Sequence, residues 1–79
     1  MTEYRLDITT EVCPLTFVKT KLLLERMQPG DIAIVRLMGG EPLENVPRSI
    51  VELGHTIVSL DPDAAYDDVH ILKLRKVAA

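Results

Sequence analysis

The stretch from Pro14 to Met27 constrains the fold more than any other part of the chain, because it holds no glycine and no proline after its first residue. It ends at Gln28-Pro29-Gly30, a cluster that stops a helix and turns the chain. Proline is favoured at the first position of a helix, where its missing N–H would have no partner anyway. The pattern therefore predicts a first helix over residues 14–27.

Strand patterns flank this helix. Residues 4–8 alternate apolar and polar side chains, which is typical of a half-buried strand, and residues 31–37 are rich in β-branched side chains. Further strands are predicted over residues 56–60 and 67–77, with a turn at residues 61–63 between them.

A second, shorter helix is predicted after a loop that contains Gly39 and Gly40. It is expected to open near Asn45, a candidate N-cap, with Pro47 in its first turn and Gly54 as its left-handed stop. The resulting order β-α-β-α-β-β predicts a two-layer α/β (α+β) sandwich, with both helices on one face of a four-stranded mixed sheet.

The size and charge of the chain exclude several classes of protein. Its 79 residues suffice for one hydrophobic core, so we expect a single domain over residues 1–79. The net charge of -3 argues against a direct grip on nucleic acid, which needs clustered Lys and Arg. No apolar run approaches the roughly 20 residues that span a bilayer, and the first residues lack the pattern of a signal peptide. We expect a cytoplasmic monomer that binds neither nucleic acid nor membrane.

Cys13 is the only cysteine, so it cannot form an internal disulfide. With Pro14 as the first helical residue, Cys13 falls at the N-cap, where backbone N–H groups and the positive end of the helix dipole face the sulfur. Such a position lowers the pKa of the thiol from the roughly 8.5 of a free cysteine. Glu11 opposes that shift by repelling negative charge. The competing interpretation is that Cys13 is a small buried hydrophobic residue.

The segment from Leu6 to Thr16, followed by a helix that closes in Met27-Gln28-Pro29-Gly30-Asp31, resembles the TusA (SirA-like) family of sulfur carriers. Members typically open with a strand, then Cys-Pro-x-Pro at a helix start, then a Pro-Gly turn into a second strand. The resemblance implies the same two-layer fold. It also implies that the motif cysteine, here Cys13, takes sulfur from a cysteine desulfurase or rhodanese-like donor and passes it to an acceptor protein. Thr16 replaces the second motif proline, and we expect Pro14 and Thr16 to support the helix start.

Plotted at about 100° per residue, the first helix has two apolar faces. One face is broad enough to serve the core, and it consists of Phe17, Thr20, Leu23, Leu24 and Met27. The other face consists of Leu15, Val18 and Leu22. It is interpreted either as buried against a loop or the neighbouring helix, or as an exposed strip beside Cys13 that docks a partner.

The remaining candidate residues carry weaker signals. Lys19, Lys21 and Arg26 are interpreted either as an ordinary solvated face or as charges that complement an acidic partner and steer its approach. Arg48, expected at the start of the second helix, is a candidate contact for the negative charge of a persulfide. His55 and His70 lack the spacing of metal ligands, so no metal and no cofactor is predicted. A catalytic pair of Cys13 and His70 would depend on how the fold places them.

The leading hypothesis is a persulfide relay on Cys13, in which the protein is a transfer component rather than a free-standing enzyme. A second hypothesis is a non-catalytic binding or regulatory module in which Cys13 only caps a helix. A third is a thiol redox protein, which would need a partner thiol because the chain has no resolving cysteine. The sequence does not assign the donor, the acceptor or the final product, nor does it choose between sulfur and selenium.

Overall fold

The structure, a computed structural model, describes residues 2–12 and 14–77; Met1, Cys13, Ala78 and Ala79 lie outside the described residues. The elements in chain order are β1 (Glu3–Asp7), α1 (Leu15–Arg26), β2 (Ile32–Met38), α2 (Glu41–Glu52), β3 (Thr56–Pro62) and β4 (Val69–Arg75). The predicted order β-α-β-α-β-β is confirmed. In the described part of the chain, neither helix is long and apolar enough to cross a membrane.

The four strands form one mixed sheet in the order β1-β2-β4-β3. β1 and β2 run parallel because α1 returns the chain between them, whereas β4 lies antiparallel to both β2 and β3. Both helices pack on the same face of this sheet. The predicted two-layer sandwich with a four-stranded mixed sheet is therefore confirmed.

The core lies between the sheet and the two helices. Strand β2 alternates strictly between buried and half-buried residues, and its buried side chains face the helices. The corresponding positions of β4 pair with them, with Val35 opposite Leu72 and Ala33 opposite Leu74. The core cluster consists of Ile8, Leu23, Leu24, Met27, Ala33, Val35, Leu37, Val46, Ile50, Leu72 and Leu74. Each helix thus contributes one buried stripe, as expected for amphipathic helices on one sheet face.

The second helix differs from its prediction at its start. It begins at Glu41, directly after Gly40, so Asn45 is not an N-cap and Pro47 lies inside the helix rather than in its first turn. Pro42 takes the early helical position that favours proline. Pro47 costs α2 one backbone hydrogen bond, because proline has no N–H to donate.

The end of α2 and the turn that follows β3 test two further predictions. Gly54 has a φ of 93° and follows the last turn of α2, as predicted. Its N–H bonds to Val51 O at 2.9 Å and the N–H of His55 bonds to Ile50 O at 3.1 Å, which is the Schellman pattern. The predicted turn at residues 61–63 is wrong, because β3 continues through Pro62 and the chain reverses over residues 63–68.

Two long-range contacts fix the end of α1 to the sheet. Lys76 Nζ donates to Leu24 O at 2.6 Å and to Met27 O at 2.8 Å, so it binds carbonyl oxygens of the last helical turn. The buried carboxylate of Asp31 accepts from the backbone N–H groups of Gln28 at 2.9 Å and Thr2 at 3.1 Å. Those hydrogen bonds lower the pKa of Asp31. Helix α1 is therefore anchored at the end far from Cys13.

Candidate functional site

The connection from β1 to α1 starts in an ordered turn. Ile8 is fully buried, and its N–H donates to Arg36 O at 2.9 Å, which continues the pairing of β1 with β2. The carboxylate of Asp7 accepts from the hydroxyl of Thr9 at 2.6 Å and from its N–H at 2.9 Å. These two hydrogen bonds, led by the hydroxyl, lower the pKa of Asp7. Asp7 also binds Arg36 Nη1 at 2.9 Å, so the turn has a fixed position over the end of β2.

Cys13 lies outside the described residues, but the residues on both sides of it are described. Leu15 N donates to Val12 O at 2.7 Å, and Val18 N donates to Pro14 O at 3.0 Å. Helix α1 begins at Leu15 and Pro14 is its N-cap, so the predictions of Pro14 as the first helical residue and Cys13 as the N-cap are each displaced by one position. Val12 is 70% exposed and Pro14 is exposed, so the chain lies on the protein surface at both neighbours of Cys13.

Val12 and Pro14 lie at the end of the sheet where both helices begin. Because β1 and β2 are parallel, their carboxyl ends share one edge, and α1 and α2 each start just beyond it. Helix α2 carries Glu41 and Glu44 in its first turn, so the positive end of its dipole already faces carboxylates. The start of α1 has no acidic residue in its first turn. Of the two helices, α1 is thus the one whose positive end is available to a nearby anion.

The two histidines lie at opposite ends of the strands. His70 is paired with Leu37 near the carboxyl end of β2, which is the end of the sheet where Val12 and Pro14 lie. The Nδ1 atom of His70 is buried and has no hydrogen-bond partner among the described residues. His55 lies at the far end, where its Nδ1 accepts from Val77 N at 3.1 Å. Burial, and then the charge of Lys76, lower the pKa of His55. A pair of Cys13 and His70 stays a prediction. In residues 2–12 and 14–77 no cluster of acidic, histidine or cysteine side chains could hold a metal ion.

Glu11 forms an ion pair that the sequence did not predict. Its carboxylate lies 3.0 Å from Lys19 Nζ, one turn into α1. Lys19 is therefore more than part of a solvated face, since its charge partly offsets the carboxylate two residues before Cys13. The sequence signal for this pair was weak, because the two residues are eight positions apart and only the turn between strand and helix brings them together.

The Glu11–Lys19 pair leads to a prediction about the thiol of Cys13. Lys19→Gln should raise the pKa of the thiol because it leaves Glu11 uncompensated, and Glu11→Gln should lower it. The rate of alkylation by iodoacetamide as a function of pH measures both effects. Lys21→Gln is the matched control, since it removes the same charge from an exposed position of α1 outside this ion pair. Equal shifts in Lys19→Gln and Lys21→Gln would contradict a local role for the pair.

The apolar residues of α1 divide largely as predicted. Thr20, Leu23, Leu24 and Met27 are buried. Phe17 is only half-buried, and Thr16 takes a buried place instead, 2% exposed. Leu15, Val18 and Leu22 are 45%, 40% and 55% exposed, so the interpretation of this strip as exposed is confirmed. The docking role of the strip stays a prediction.

Arg48 does not lie at the start of a helix. It is the eighth residue of α2, where it is exposed and its guanidinium donates to Asn45 Oδ1 at 2.6 Å. The premise for its contact with a persulfide, a place in the first turn of α2, is therefore wrong, because the helix begins earlier than predicted. An anion contact by Arg48 stays a prediction with no support from its position.

Known structures define the class of this fold. The chain is similar to the crystal structure of a SirA-like protein from Desulfitobacterium hafniense, with a TM-score of 0.78 over 95% of this chain and 99% of that one. The sequence identity is 16%, so this likeness concerns the fold. Together with the Cys-Pro segment between β1 and α1, it defines a SirA-like two-layer sandwich.

The chain belongs to the TusA family. The family model described as sulfurtransferase TusA matches residues 4–76, which include every helix and nearly all of the sheet. The predicted family is thereby confirmed.

Relatives within the family are named as carriers of sulfur. A candidate sulfur carrier protein of Archaeoglobus fulgidus is 45% identical over 71% of this chain, and the match spans 64% of that protein's length. Another from Thermotoga maritima is 36% identical over 71% of each chain. The candidate sulfur carrier protein TsuB of Escherichia coli is 31% identical over 78% of this chain and 85% of its own length. All three relatives thus carry the same description, that of a sulfur carrier protein.

Proposed function

We propose that this protein carries sulfur as a persulfide on Cys13, received from a donor protein such as a cysteine desulfurase or a rhodanese-like protein and passed to an acceptor protein. The observation that carries the proposal is the exposure of Val12 and Pro14, the neighbours of Cys13 at the start of α1, in a chain of the TusA family. A surface position suits a group that two different partners must reach in turn.

The chemistry requires a thiolate and no external oxidant or reductant. The Cys13 thiolate attacks the outer sulfur of the donor persulfide, a new S–S bond forms on Cys13, and the donor leaves as a thiolate. An acceptor thiolate then attacks the outer sulfur on Cys13. The outer sulfur becomes bonded to the acceptor, and the sulfur of Cys13 is released as a thiolate. Oxidation states balance over the two steps, so one cysteine suffices. The need for a reduced thiol fits the cytoplasm, which keeps cysteines reduced.

The electrostatics around the segment support the thiolate. The positive end of helix α1 lies at Pro14, the residue directly after Cys13 in the chain, and the first turn of the helix has no acidic residue. Lys19 offsets the charge of Glu11. Pro14 caps the helix and Thr16 packs beneath the first turn, so both residues support the segment rather than react.

Loading by a sulfur donor tests the proposal. Incubated with a cysteine desulfurase and cysteine, the protein should gain the mass of one sulfur atom, and a reductant should remove it. Cys13→Ser should gain nothing, because serine cannot hold a persulfide, while it keeps the melting temperature of the wild type, since Pro14 is the N-cap of α1 and is unchanged. Polysulfide serves as a second donor that needs no protein contact. A folded wild-type protein that loads from neither source would contradict the proposal and favour a binding module without sulfur chemistry.

A further inference from the structure

An open groove of about 470 Å³ runs between α1 and β1. Its lining consists of Leu6, Lys19, Leu22, Leu23, Glu25 and Arg26. Leu6 and Leu23 belong to the floor, since they are half-buried and buried, whereas Leu22 is 55% exposed on the wall. The groove is therefore apolar at the bottom and carries charges along its rim.

One flank of α1 forms a continuous wall that starts beside the Cys-Pro segment. At about 100° per residue, Leu15, Lys19, Leu22 and Arg26 fall within a narrow sector of the helix. Three of these residues line the groove, and the other, Leu15, extends the same flank to the first residue of the helix. A ligand in the groove would thus reach the chain next to Cys13.

The outer edge of β1 borders this groove and carries unused hydrogen-bonding groups. Thr2 O accepts from Ile32 N and Ile8 N donates to Arg36 O, so even-numbered residues direct their backbone groups towards β2. Backbone groups alternate in direction along a strand, which turns those of Glu3, Arg5 and Asp7 outwards. The strand order places β1 at the edge of the sheet, and no described strand pairs with it on that side.

The other edge of the sheet, β3, is protected against pairing. The register of β3 shifts between Ile57 and Ser59, which marks a bulge at Val58, and the strand ends in Pro62. Bulges and prolines are two of the devices that keep edge strands from pairing with other chains, and short strands and charged side chains are two more. Strand β1 has no bulge and no proline, since its pairing with β2 is regular from Glu3 to Asp7, so its protection is limited to its length of five residues and its charges at Glu3, Arg5 and Asp7.

We propose that an extended segment of a partner protein adds to the outer edge of β1 as a further strand and places alternate apolar side chains in the groove. Strand addition of this kind uses main-chain hydrogen bonds for affinity and side-chain pockets for specificity. The rim favours a carboxylate at the end that meets Arg26, since Arg26 forms no ion pair with a described residue. The inference rests on the proposed function for the identity of the partner, which would be one that exchanges sulfur with Cys13.

A second copy of this chain fits the edge less well. If two β1 strands paired antiparallel over all five residues, Glu3 would lie opposite Asp7 and Arg5 opposite Arg5. Like charges directly opposite each other destabilise a strand pair. We therefore assign the edge to a different chain.

A short peptide tests this assignment without sulfur chemistry. The probe is a blocked heptapeptide with glutamate at positions 1 and 7, valine at 3 and 5 and serine at 2, 4 and 6, so that its glutamate and valine side chains lie on the same face of the added strand. At saturation it should slow amide hydrogen exchange of Glu3, Arg5 and Asp7 by at least about tenfold. The amides of Tyr4 and Leu6 already point to β2, so they are internal controls whose exchange should not change.

Variants separate main-chain pairing from side-chain contact. Arg5→Pro removes one outward N–H and should abolish peptide binding, whereas Arg5→Ala keeps that N–H and should bind within about threefold of the wild type. Arg26→Glu should prefer a peptide with lysine at both ends. Melting curves identify any variant that fails to fold. Amide exchange in the wild-type protein shows by itself whether the peptide pairs with the backbone of β1, even if a variant fails to fold.

Three results would overturn the inference. They are equal protection of all amides from Glu3 to Asp7, no protection at millimolar peptide, and self-association of the protein through β1 in sedimentation. The proposed function has a separate outcome, since polysulfide loads Cys13 without a docking partner. A protein that is loaded by polysulfide but does not bind the peptide would refute only the proposed strand addition at β1. A protein that binds the peptide but is not loaded by polysulfide would refute only the proposed sulfur chemistry.

Discussion

Leu24→Ala is expected to lower the free energy of unfolding by about 2 to 5 kcal/mol, because it removes apolar volume from a closely packed core. Leu24 is 4% exposed and belongs to the cluster that joins both helices to the sheet. The partner residues of this cluster come from different elements, so the cavity cannot close without moving a helix or a strand. Chemical denaturation of wild type and variant, compared at equal m-values, measures the loss.

Leu22→Ala provides the matched control, because it removes the same atoms two residues earlier on the same helix. Leu22 is 55% exposed, and surface substitutions usually change stability by no more than about 0.5 kcal/mol. The same variant should weaken binding of the valine-serine peptide in the groove. A loss of stability as large as that of Leu24→Ala would place Leu22 in the core and remove the wall of the proposed groove.

The strands could be predicted from sequence because their patterns are local. The first strand was predicted from the alternation in residues 4–8, and the second from the β-branched residues in 31–37. The observed bounds of β1 and β2 differ from these predictions by one residue at each end. The stop of α2 at Gly54 was equally local, because the left-handed conformation there favours glycine. Each of these signals depends on a few neighbouring residues and the backbone they adopt.

The start of α2 shows how two local signals compete. Pro42 and Pro47 both fit an early helical position, and Asn45 as a candidate cap favours Pro47. The structure uses Pro42, with Glu41 and Glu44 in the first turn. Acidic residues in the first turn interact favourably with the helix dipole. This signal would have placed the start of α2 at Glu41 rather than near Asn45.

The candidate site was predictable in composition but not in its contacts. Cys13 and the Cys-Pro pair follow from the sequence alone, and the spacing along α1 separates Leu15, Val18 and Leu22 from the core face without deciding whether they are buried or exposed. The pair of Glu11 with Lys19 and the groove beside β1 do not, because they depend on how the turn after β1 directs α1 across the sheet. The position of Arg48 was wrong for a related reason, since it inherited the error at the start of α2.

Lys76→Met is expected to destabilise the protein by about 1 to 3 kcal/mol, because hydrogen bonds from a charged group are worth more than neutral ones. The ammonium group binds Leu24 O and Met27 O, and methionine keeps the apolar stem but cannot donate. Lys73→Met removes the same charge from β4 and should change stability by no more than about 0.5 kcal/mol.

A second readout separates the loss of these hydrogen bonds from a general effect of charge. The charge of Lys76 is one cause of the lowered pKa of His55, after burial, so Lys76→Met should raise that pKa while Lys73→Met leaves it in place. Titration of the two histidines by NMR measures the shift. Amide exchange in the last turn of α1 should also rise in Lys76→Met alone, since the carbonyls of that turn lose their anchor. Equal loss of stability in both variants, with an unchanged pKa of His55, would mean that Lys76 acts only through the net charge of the chain. The expected pattern would instead show that a residue near the end of the chain holds α1 against the sheet, and with it the Cys-Pro segment at the other end of that helix.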